Sequence, residues 1–219
     1  MPYTVNPAAS DEQTHAFASD VLESDLRLCE TLGADVLVLH PGSHKGEGMA
    51  AGVKRVAEAV KRALADATGR TRLLFEAMAG SGNCVGGTPD ELAALLDECG
   101  GDQRLGVCLD SCHQYAAGYD LTTPEGVDAM VDAFARAVGL DRISCLHLND
   151  CKSALGSHLD RHERIGKGRL GVVGIRAVVN HPFLRTLPMC LETPVDDLDE
   201  YAAEIAAVHK LTAPDPRRP

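Results

Sequence analysis

Residues 145–168 carry a dense run of imidazole and carboxylate side chains, CLHLNDCKSALGSHLDRHERIGKG. His147 closes an apolar stretch, so we expect it at the end of a buried strand. Asp160 and His162 are two residues apart, which in an extended chain places both side chains on one side. A histidine and a carboxylate that converge beside a further histidine form a donor set suited to a divalent metal. The segment therefore predicts a metal site, the alternative being a polar surface loop.

Side chains that can bind metal also end, or nearly end, five apolar runs along the chain: His40, Glu76, Asp110, His147 and Glu192. The first four are separated by 36, 34 and 37 residues, a spacing that fits one βα unit each. Because the carboxyl ends of the strands converge on one face of a (β/α) barrel, we expect these side chains to share a site there. Asp110 and His113 span a strand-to-helix turn, so His113 can join them, the alternative being a helix-capping Asp followed by a helical His.

The candidate ligands then number eight, four histidines and four carboxylates: His40, Glu76, Asp110, His113, His147, Asp160, His162 and Glu192. One zinc ion takes about four protein ligands, or three and a water molecule. Eight ligands therefore predict two or three metal ions that share a carboxylate. Clusters of this kind activate water and stabilise both oxygens of a displacement at phosphorus.

The elements that must position these residues alternate between strands and helices. We predict strands over Asp35–His40, Thr71–Glu76, Leu105–Asp110, Ile143–Asn149 and Met189–Glu192. We predict helices over Ser10–Leu32, with Ser10 as N-cap, and then over 50–68, from Thr88, within 123–138, around Ile175–Val179 and over Leu198–His209. The alternation is typical of a parallel sheet in an α/β protein. We predict a single, partial TIM-barrel domain of the (β/α)8 type over residues 1–211 and a disordered tail over 212–219.

The length and composition of the chain restrict the classes of protein to which it can belong. A chain of 219 residues, 45% of them hydrophobic, can bury one sizeable core. No run reaches the roughly 18 apolar residues of a membrane span, and the first residues have no signal-peptide pattern. The eight cysteines include no CxxC pair and lie mostly in apolar runs, which favours buried reduced thiols in the cytoplasm. The net charge of −11 argues against nonspecific binding of nucleic acid through an overall basic surface.

Five blocks of the sequence resemble the signature motifs of the endonuclease IV family: LHPGSH at 39–44, CLDSCHQYAAGYD at 108–120, LHLNDCK at 146–152, SHLDRHERIGKG at 157–168 and LETP at 191–194. Members of this family are apurinic/apyrimidinic (AP) endonucleases with a TIM barrel and three zinc ions. The resemblance implies hydrolysis of the DNA backbone on the 5′ side of an abasic site, as in base excision repair. The partner it implies is double-stranded DNA that contains abasic sites, and we infer no membrane association and no obligate protein partner.

The resemblance also distributes the ligands among the three zinc ions. His40 and Glu76 would hold the first ion, and Glu76 would bridge to the second. The second ion would also take the side chains at the ends of later strands, Asp110, His147 and Glu192. The third would be held by His113, Asp160 and His162. We expect Glu76 to be catalytic, because a bridging carboxylate can orient or deprotonate the attacking water.

The sequence departs from the family in two places. Ala77 follows Glu76 where the family usually has Asn, which alters a hydrogen bond beside the metal. The block Tyr3–Asn6 resembles the one that follows the family's first zinc-ligand histidine. The resemblance therefore implies that the barrel is incomplete, with the first one or two βα units missing, and that the activity of this chain is impaired. Tyr3 would match the family's aromatic residue at the lesion, the alternative being a Tyr on a frayed terminus.

Basic side chains concentrate beside the metal motif, where we expect Arg161, Arg164 and Lys167 to contact DNA phosphates. The alternative for such a run is a solvated face.

Two other functions stay open for the chain as a whole. A TIM-barrel sugar isomerase or epimerase also places His, Asp and Glu at strand ends, around one or two divalent ions, but has no need of the third set at 113, 160 and 162. A non-catalytic DNA-lesion binder would keep the barrel without turnover.

Overall fold

The structure, a computed structural model, describes residues 4–214. Backbone contacts divide the chain into two compact units. The first comprises the residues up to Cys108 together with Phe134–Ser144, and the second comprises Leu109–Ala133 and the residues from Cys145 onward. The single domain over 1–211 stays a prediction, and Tyr3 and positions 215–219 of the predicted tail lie outside the described residues.

Parallel strands form the sheet of the first unit: β1 (Val36–Leu39), β2 (Arg72–Glu76) and the first four residues of β3 (Leu105–Asp110). The register pairs Leu39 with Phe75 and Glu76 with Cys108. Residues 40 and 76 therefore leave the sheet side by side. The strand predicted over 105–110 is confirmed in full, and the two before it are shorter than predicted by a residue or two at their ends.

Three helices belong to the first unit: α1 (Glu12–Leu32), α2 (Met49–Ala65) and α3 (Pro89–Glu98). Along α2 the side chains of Val53, Val56, Val60 and Leu64 are buried, a spacing of three and four residues that forms one apolar face. The helix contacts both α1 and α3. Burial of this face, rather than helix propensity alone, holds α2 in place.

The predicted N-cap of the first helix is wrong by one residue. Asp11, and not Ser10, caps α1, and its Oδ1 accepts a hydrogen bond of 2.8 Å from the backbone N–H of Thr14. Both residue types cap helices well, but Asp11 also places a negative charge at the positive end of the helix dipole. The Thr88 cap of α3 is confirmed, since Thr88 Oγ1 accepts from the backbone N–H of Glu91 at 3.2 Å.

The second unit contains the remaining elements: α4 (Ser111–Ala117), most of α5 (Pro124–Ala137), the end of β4 (Ile143–His147), β5 (Asp150–Cys151), β6 (His162–Glu163), α6 (Gly171–Asn180), β7 (Met189–Cys190) and α7 (Glu200–Leu211). β4 and β7 are parallel, with His147 opposite Cys190. Cys190 is exposed, which corrects the expectation of a buried thiol, because the short β7 leaves its side chain open to solvent. Within residues 4–214, no helix is long and apolar enough to cross a membrane.

β5 and β6 form an antiparallel pair in which Asp150 lies opposite Glu163 and Cys151 opposite His162. Each strand has two residues, too few to show a hydrophobic period, so the sequence does not predict this pair. The pairing matters for function because it holds the segment with Asp160 and His162 against the residues that follow β4.

Candidate metal centre

The first unit brings together two of the predicted ligands, His40 and Glu76. His40 follows β1 and Glu76 ends β2, so the parallel register places them next to each other. His40 Nε2 lies 2.9 Å from Glu76 Oε2, and Glu76 is fully buried. A buried carboxylate requires a hydrogen-bonding or positively charged partner. This pair therefore brings together in the interior two donor types that suit zinc.

A second group of ligands in the second unit consists of His113, Asp160 and His162. His113 Nε2 lies 3.2 Å from Asp160 Oδ2, and His162 Nε2 lies 3.2 Å from Asp160 Oδ1. The ligand atoms of the three residues all lie within 4.8 Å of one another. The structure thus places together the three side chains that the family resemblance assigns to one ion.

The spacing of these atoms fits a divalent cation. With zinc–ligand bonds of about 2.0–2.1 Å, the ligand atoms of a tetrahedral site are about 3.3 Å apart. The two distances of 3.2 Å from nitrogen to oxygen, each to a different oxygen of Asp160, lie close to that value. His113 is almost completely buried, whereas Asp160 is about one-third exposed. One wall of the site is therefore fixed in the interior and the other is open to solvent.

The hydrogen bonding of His162 leaves the correct nitrogen available for a metal. Its Nδ1 lies 3.1 Å from the backbone carbonyl oxygen of Glu192. Because a carbonyl oxygen only accepts, the neutral ring carries its hydrogen on Nδ1 and presents a lone pair on Nε2. A backbone carbonyl that holds the distal ring nitrogen is a common support for a metal-binding histidine.

Asp110 is a fully buried carboxylate at the junction of β3 and α4. Its Oδ1 accepts a hydrogen bond of 2.8 Å from the backbone N–H of His113 and so caps α4. Its Oδ2 lies 3.7 Å from His162 Nε2. Asp110 can therefore cap α4 with Oδ1 and bind a metal ion with Oδ2, so the two interpretations are compatible.

His147 and Glu192 form a further pair of predicted ligands in this unit. His147 ends β4, and its Nδ1 lies 3.0 Å from Glu192 Oε2. The side chain of His147 is 8% exposed and that of Glu192 is 40% exposed. The parallel pairing of β4 with β7 brings these two segments side by side.

Asn149, a residue to which the sequence patterns assign no role, connects two of these ligands. Its Nδ2 donates to Asp110 Oδ2 at 2.7 Å, and its Oδ1 accepts from the backbone N–H of Glu192 at 2.9 Å. Asn149 is fully buried. The sequence signal that could have identified Asn149 is its position two residues after the strand-end His147, which places both side chains on the same side of an extended chain.

A buried cysteine also lies close to the ligands. Cys112 Sγ, one carboxylate oxygen of Asp110 and one ring nitrogen of His162 lie within 4.8 Å of one another. The hydrogen bond with Cys151, together with burial, raises the pKa of the Cys112 thiol. Since metals bind the thiolate rather than the thiol, the imidazole and carboxylate atoms form the more suitable donor set.

Asp150 anchors the segment that follows the ligands at 160 and 162. It is fully buried, and its Oδ1 accepts from the N–H of Leu170 at 2.9 Å. Its Oδ2 accepts from the N–H groups of Gly168 at 3.0 Å and of Gly171 at 3.1 Å. A Cβ at Gly168 would lie 2.4 Å from Asp150 Oδ1, so only glycine allows this close approach.

The three predicted phosphate-binding residues differ in their surroundings. Arg161 and Lys167 are exposed, and Arg161 Nη1 donates to the carbonyl oxygen of Asp160 at 2.7 Å. Arg164 instead forms an ion pair with Glu200 and donates from Nε to the carbonyl oxygen of Pro194 at 3.0 Å. The guanidinium of Arg164 therefore has partners within the protein that compete with a phosphate.

Comparison with known proteins places this fold and these motifs in one family. A family profile described as a xylose isomerase-like TIM barrel matches residues 1–211. The protein named probable endonuclease 4 from Methanoculleus marisnigri is 46% identical over 212 residues, which cover 96% of this chain and 75% of that relative. The protein of the same name from Moorella thermoacetica is also 46% identical over 212 residues, with the same coverage of 96% and 75%.

Solved structures agree with the sequence relatives. The crystal structure of endonuclease IV from Thermus thermophilus matches with a TM-score of 0.81 and 35% identity, covering 95% of this chain and 72% of that one. A D-tagatose 3-epimerase-like protein, 17% identical, matches with a TM-score of 0.66 over 94% of this chain and 74% of that one, and so shares the fold. The TIM-barrel fold class predicted from the alternating elements is confirmed. The chain belongs to the xylose isomerase-like TIM-barrel family and, within it, to the endonuclease IV family.

Proposed function

We propose that this chain is a metal-dependent endonuclease that hydrolyses the DNA phosphodiester bond on the 5′ side of an abasic site. Membership of the endonuclease IV family supports the reaction class. The observation that carries the proposal is the arrangement of His113, Asp160 and His162, in which two imidazole nitrogens face separate oxygens of one carboxylate. A sugar isomerase has no need of this additional set of ligands.

The metal that the donor set fits best is zinc, with two or three ions per chain. Neutral imidazole and carboxylate groups are the usual zinc ligands of hydrolytic sites. The proposed ligands are the eight strand-end and loop residues identified in the sequence: His40, Glu76, Asp110, His113, His147, Asp160, His162 and Glu192. Zinc bound there would generate the nucleophile from water and stabilise the charge that develops on the phosphate oxygens.

The protein itself contributes position, charge and a proton acceptor. Glu76 is fully buried and is held by His40 at 2.9 Å, so its carboxylate cannot swing away from the site. We assign it the orientation or deprotonation of the attacking water. Arg161 and Lys167, which are exposed beside the loop with Asp160, are proposed to contact backbone phosphates of the DNA. A sugar without a base has lost its stacking, so swinging it out of the duplex costs less than for an intact nucleotide.

A defined duplex provides the test. The chain, purified without chelator, is incubated with a 5′-labelled duplex that carries one tetrahydrofuran abasic analogue at a known position. The expected product is a single nick immediately 5′ of the analogue, with a 3′-hydroxyl that a polymerase can extend. EDTA should abolish the reaction slowly, and the same duplex with an intact nucleotide at that position should be spared.

Two other outcomes would contradict the proposal in different ways. Interconversion of an aldose and a ketose without any nicking would assign the chain to the sugar isomerases or epimerases, whose fold it shares. Tight binding of the abasic duplex without nicking, in protein shown by elemental analysis to be loaded with zinc, would indicate a lesion-binding protein without turnover.

A further inference from the structure

We propose that Asn149 is a positioning residue that fixes Asp110 and Glu192 in the geometry a metal ion requires, and so sets the metal affinity of this part of the site. The inference deepens the proposed function, because it rests on the assignment of these two carboxylates as ligands. The residue types and spacing assign Asn149 no chemistry of its own, and its role follows from its contacts.

The side-chain amide of Asn149 bridges two segments of the second unit. Nδ2 donates to Asp110 Oδ2 at 2.7 Å, and Oδ1 accepts from the backbone N–H of Glu192 at 2.9 Å. The orientation of the amide is unambiguous, because a carboxylate only accepts and a backbone N–H only donates. One side chain thus fixes a carboxylate at the end of β3 and the backbone of another just beyond β7.

The backbone of Asn149 is also held in place by hydrogen bonds. Its N–H donates to Ser111 Oγ at 2.8 Å, and Ser111 Oγ donates to the carbonyl oxygen of Asn149 at 2.7 Å. Ser111 directly follows Asp110 in the chain, and Ser111 and Asn149 are both buried. Residues 110–111 and 149 are therefore joined by three hydrogen bonds, so neither can shift without the other.

The remaining capacity of Asp110 explains why an uncharged donor suits this position. Oδ1 is used to cap α4 through the N–H of His113, whereas Oδ2 accepts from Asn149 and lies 3.7 Å from His162 Nε2. A carboxylate oxygen can accept at two positions, so Oδ2 keeps one for a cation. An amide holds this oxygen without neutralising it, whereas Lys or Arg at position 149 would compete with the metal.

Two substitutions at position 149 distinguish a role in positioning the ligands from a contribution to packing alone. Asn149→Asp preserves size and the acceptor for Glu192 N–H, but it removes the donor to Asp110 and sets two carboxylates against each other. Asn149→Ala removes both contacts. The matched control is Asn180→Ala in the same unit, since Asn180 also bridges segments, donating to the carbonyl of Leu211 at 2.9 Å and accepting from the N–H of Ala213 at 2.6 Å. Asn180 is not one of the proposed ligands, and its side chain forms hydrogen bonds with the backbone of Arg176, Leu211 and Ala213.

The measurement is zinc affinity by competition with a chromophoric chelator, without DNA, together with the visible absorption of the cobalt-substituted protein and thermal unfolding of the metal-free protein. Both Asn149 variants should bind at least one zinc about 10- to 100-fold more weakly and should show an altered cobalt spectrum. Asn180→Ala should lower the melting temperature and leave both metal readouts unchanged. If Asn149→Ala does not fold, the isosteric Asn149→Asp variant alone tests whether Asn149 sets the metal affinity.

The inference is overturned if the folded Asn149 variants keep wild-type zinc affinity and the wild-type cobalt spectrum, whatever happens to their melting temperature. Its failure is distinguishable from failure of the proposed function. A wild-type chain that binds zinc but does not nick abasic DNA defeats only the proposed function. A wild-type chain that nicks, with Asn149 variants of unchanged metal affinity, defeats only the positioning role.

Discussion

The imidazole rings of His113 and His162 lie with their centroids 5.5 Å apart and their planes inclined by 43°. At this angle both Nε2 atoms face Asp160, each at 3.2 Å from a different oxygen. His113 comes from α4 and His162 from β6. A strand-to-helix junction and a two-residue strand thus bring two rings to one carboxylate.

This convergence predicts the metal stoichiometry of two variants. Asp160→Ala or His162→Ala should lower the zinc content of the purified protein by about one ion, because each removes a ligand from the same site. Elemental analysis of protein prepared without chelator measures this. His181→Ala is the matched control, since His181 also pairs with an aspartate, Asp128, at 3.2 Å but lies outside the ligand set. At most one tightly held divalent ion in the wild type would refute the multinuclear site.

Glu76→Gln tests the proposed catalytic carboxylate. The substitution keeps the shape of a fully buried side chain but removes its charge and its capacity to take a proton. We expect the nicking rate on the abasic duplex to fall about 100-fold or more, with the far-UV circular dichroism of the wild type retained. Glu47→Gln, which changes a half-exposed carboxylate in the same unit, should leave the rate unchanged. A Glu76→Gln variant with wild-type turnover would exclude the assigned role.

The salt dependence of DNA binding distinguishes the basic residues. Each phosphate contact contributes about 0.9 to the slope of log affinity against log salt concentration. Arg161→Gln and Lys167→Gln should each reduce the slope by about that amount, measured by fluorescence anisotropy with an abasic duplex. Arg164→Gln should leave the slope nearly unchanged, because Arg164 is paired with Glu200 and Pro194. A reduced slope for Arg164→Gln alone would reverse this assignment.

Asp150 is expected to be a stability determinant. Asp150→Ala would leave the N–H groups of Gly168, Leu170 and Gly171 without their acceptor. At about 1–3 kcal/mol for each group left unsatisfied, and because the contacts of Gly168 and Gly171 are only partly buried, we expect a loss near the lower end of the sum, about 3–5 kcal/mol in the free energy of unfolding. Asp150→Asn should recover only part of this, because its amide sets a donor against a donor. Chemical denaturation measures both, with the exposed Asp196→Asn as a control that should change little.

The sequence predicted the parts of this structure that depend on local pattern and chain length. The strand at 105–110, the helix within 123–138 and the Thr88 cap follow from alternation and capping chemistry. Glu76 and His40 could be paired in advance because parallel strands of similar length end at the same edge. The role of Asn149 could not, because its side-chain partners lie 39 and 43 residues away along the chain. The β5–β6 pair was missed because two-residue strands have no periodicity, and the α1 cap because neighbouring Ser and Asp residues compete for one position.

Asn149 and Asp150 are consecutive and fully buried, yet they hold different parts of the second unit. The first holds Asp110 and Glu192, and the second holds the loop at 168–171. Consecutive side chains of an extended chain point to opposite sides. The side to which each of these two side chains points therefore depends on the number of residues between it and His147. Inserting or deleting one residue after His147 would turn the carboxylate toward Asp110 and the amide toward the loop, reversing both interactions at once. The segment from 147 to 150 therefore tolerates no change in length, whereas the exposed stretch at 154–156 has room for it.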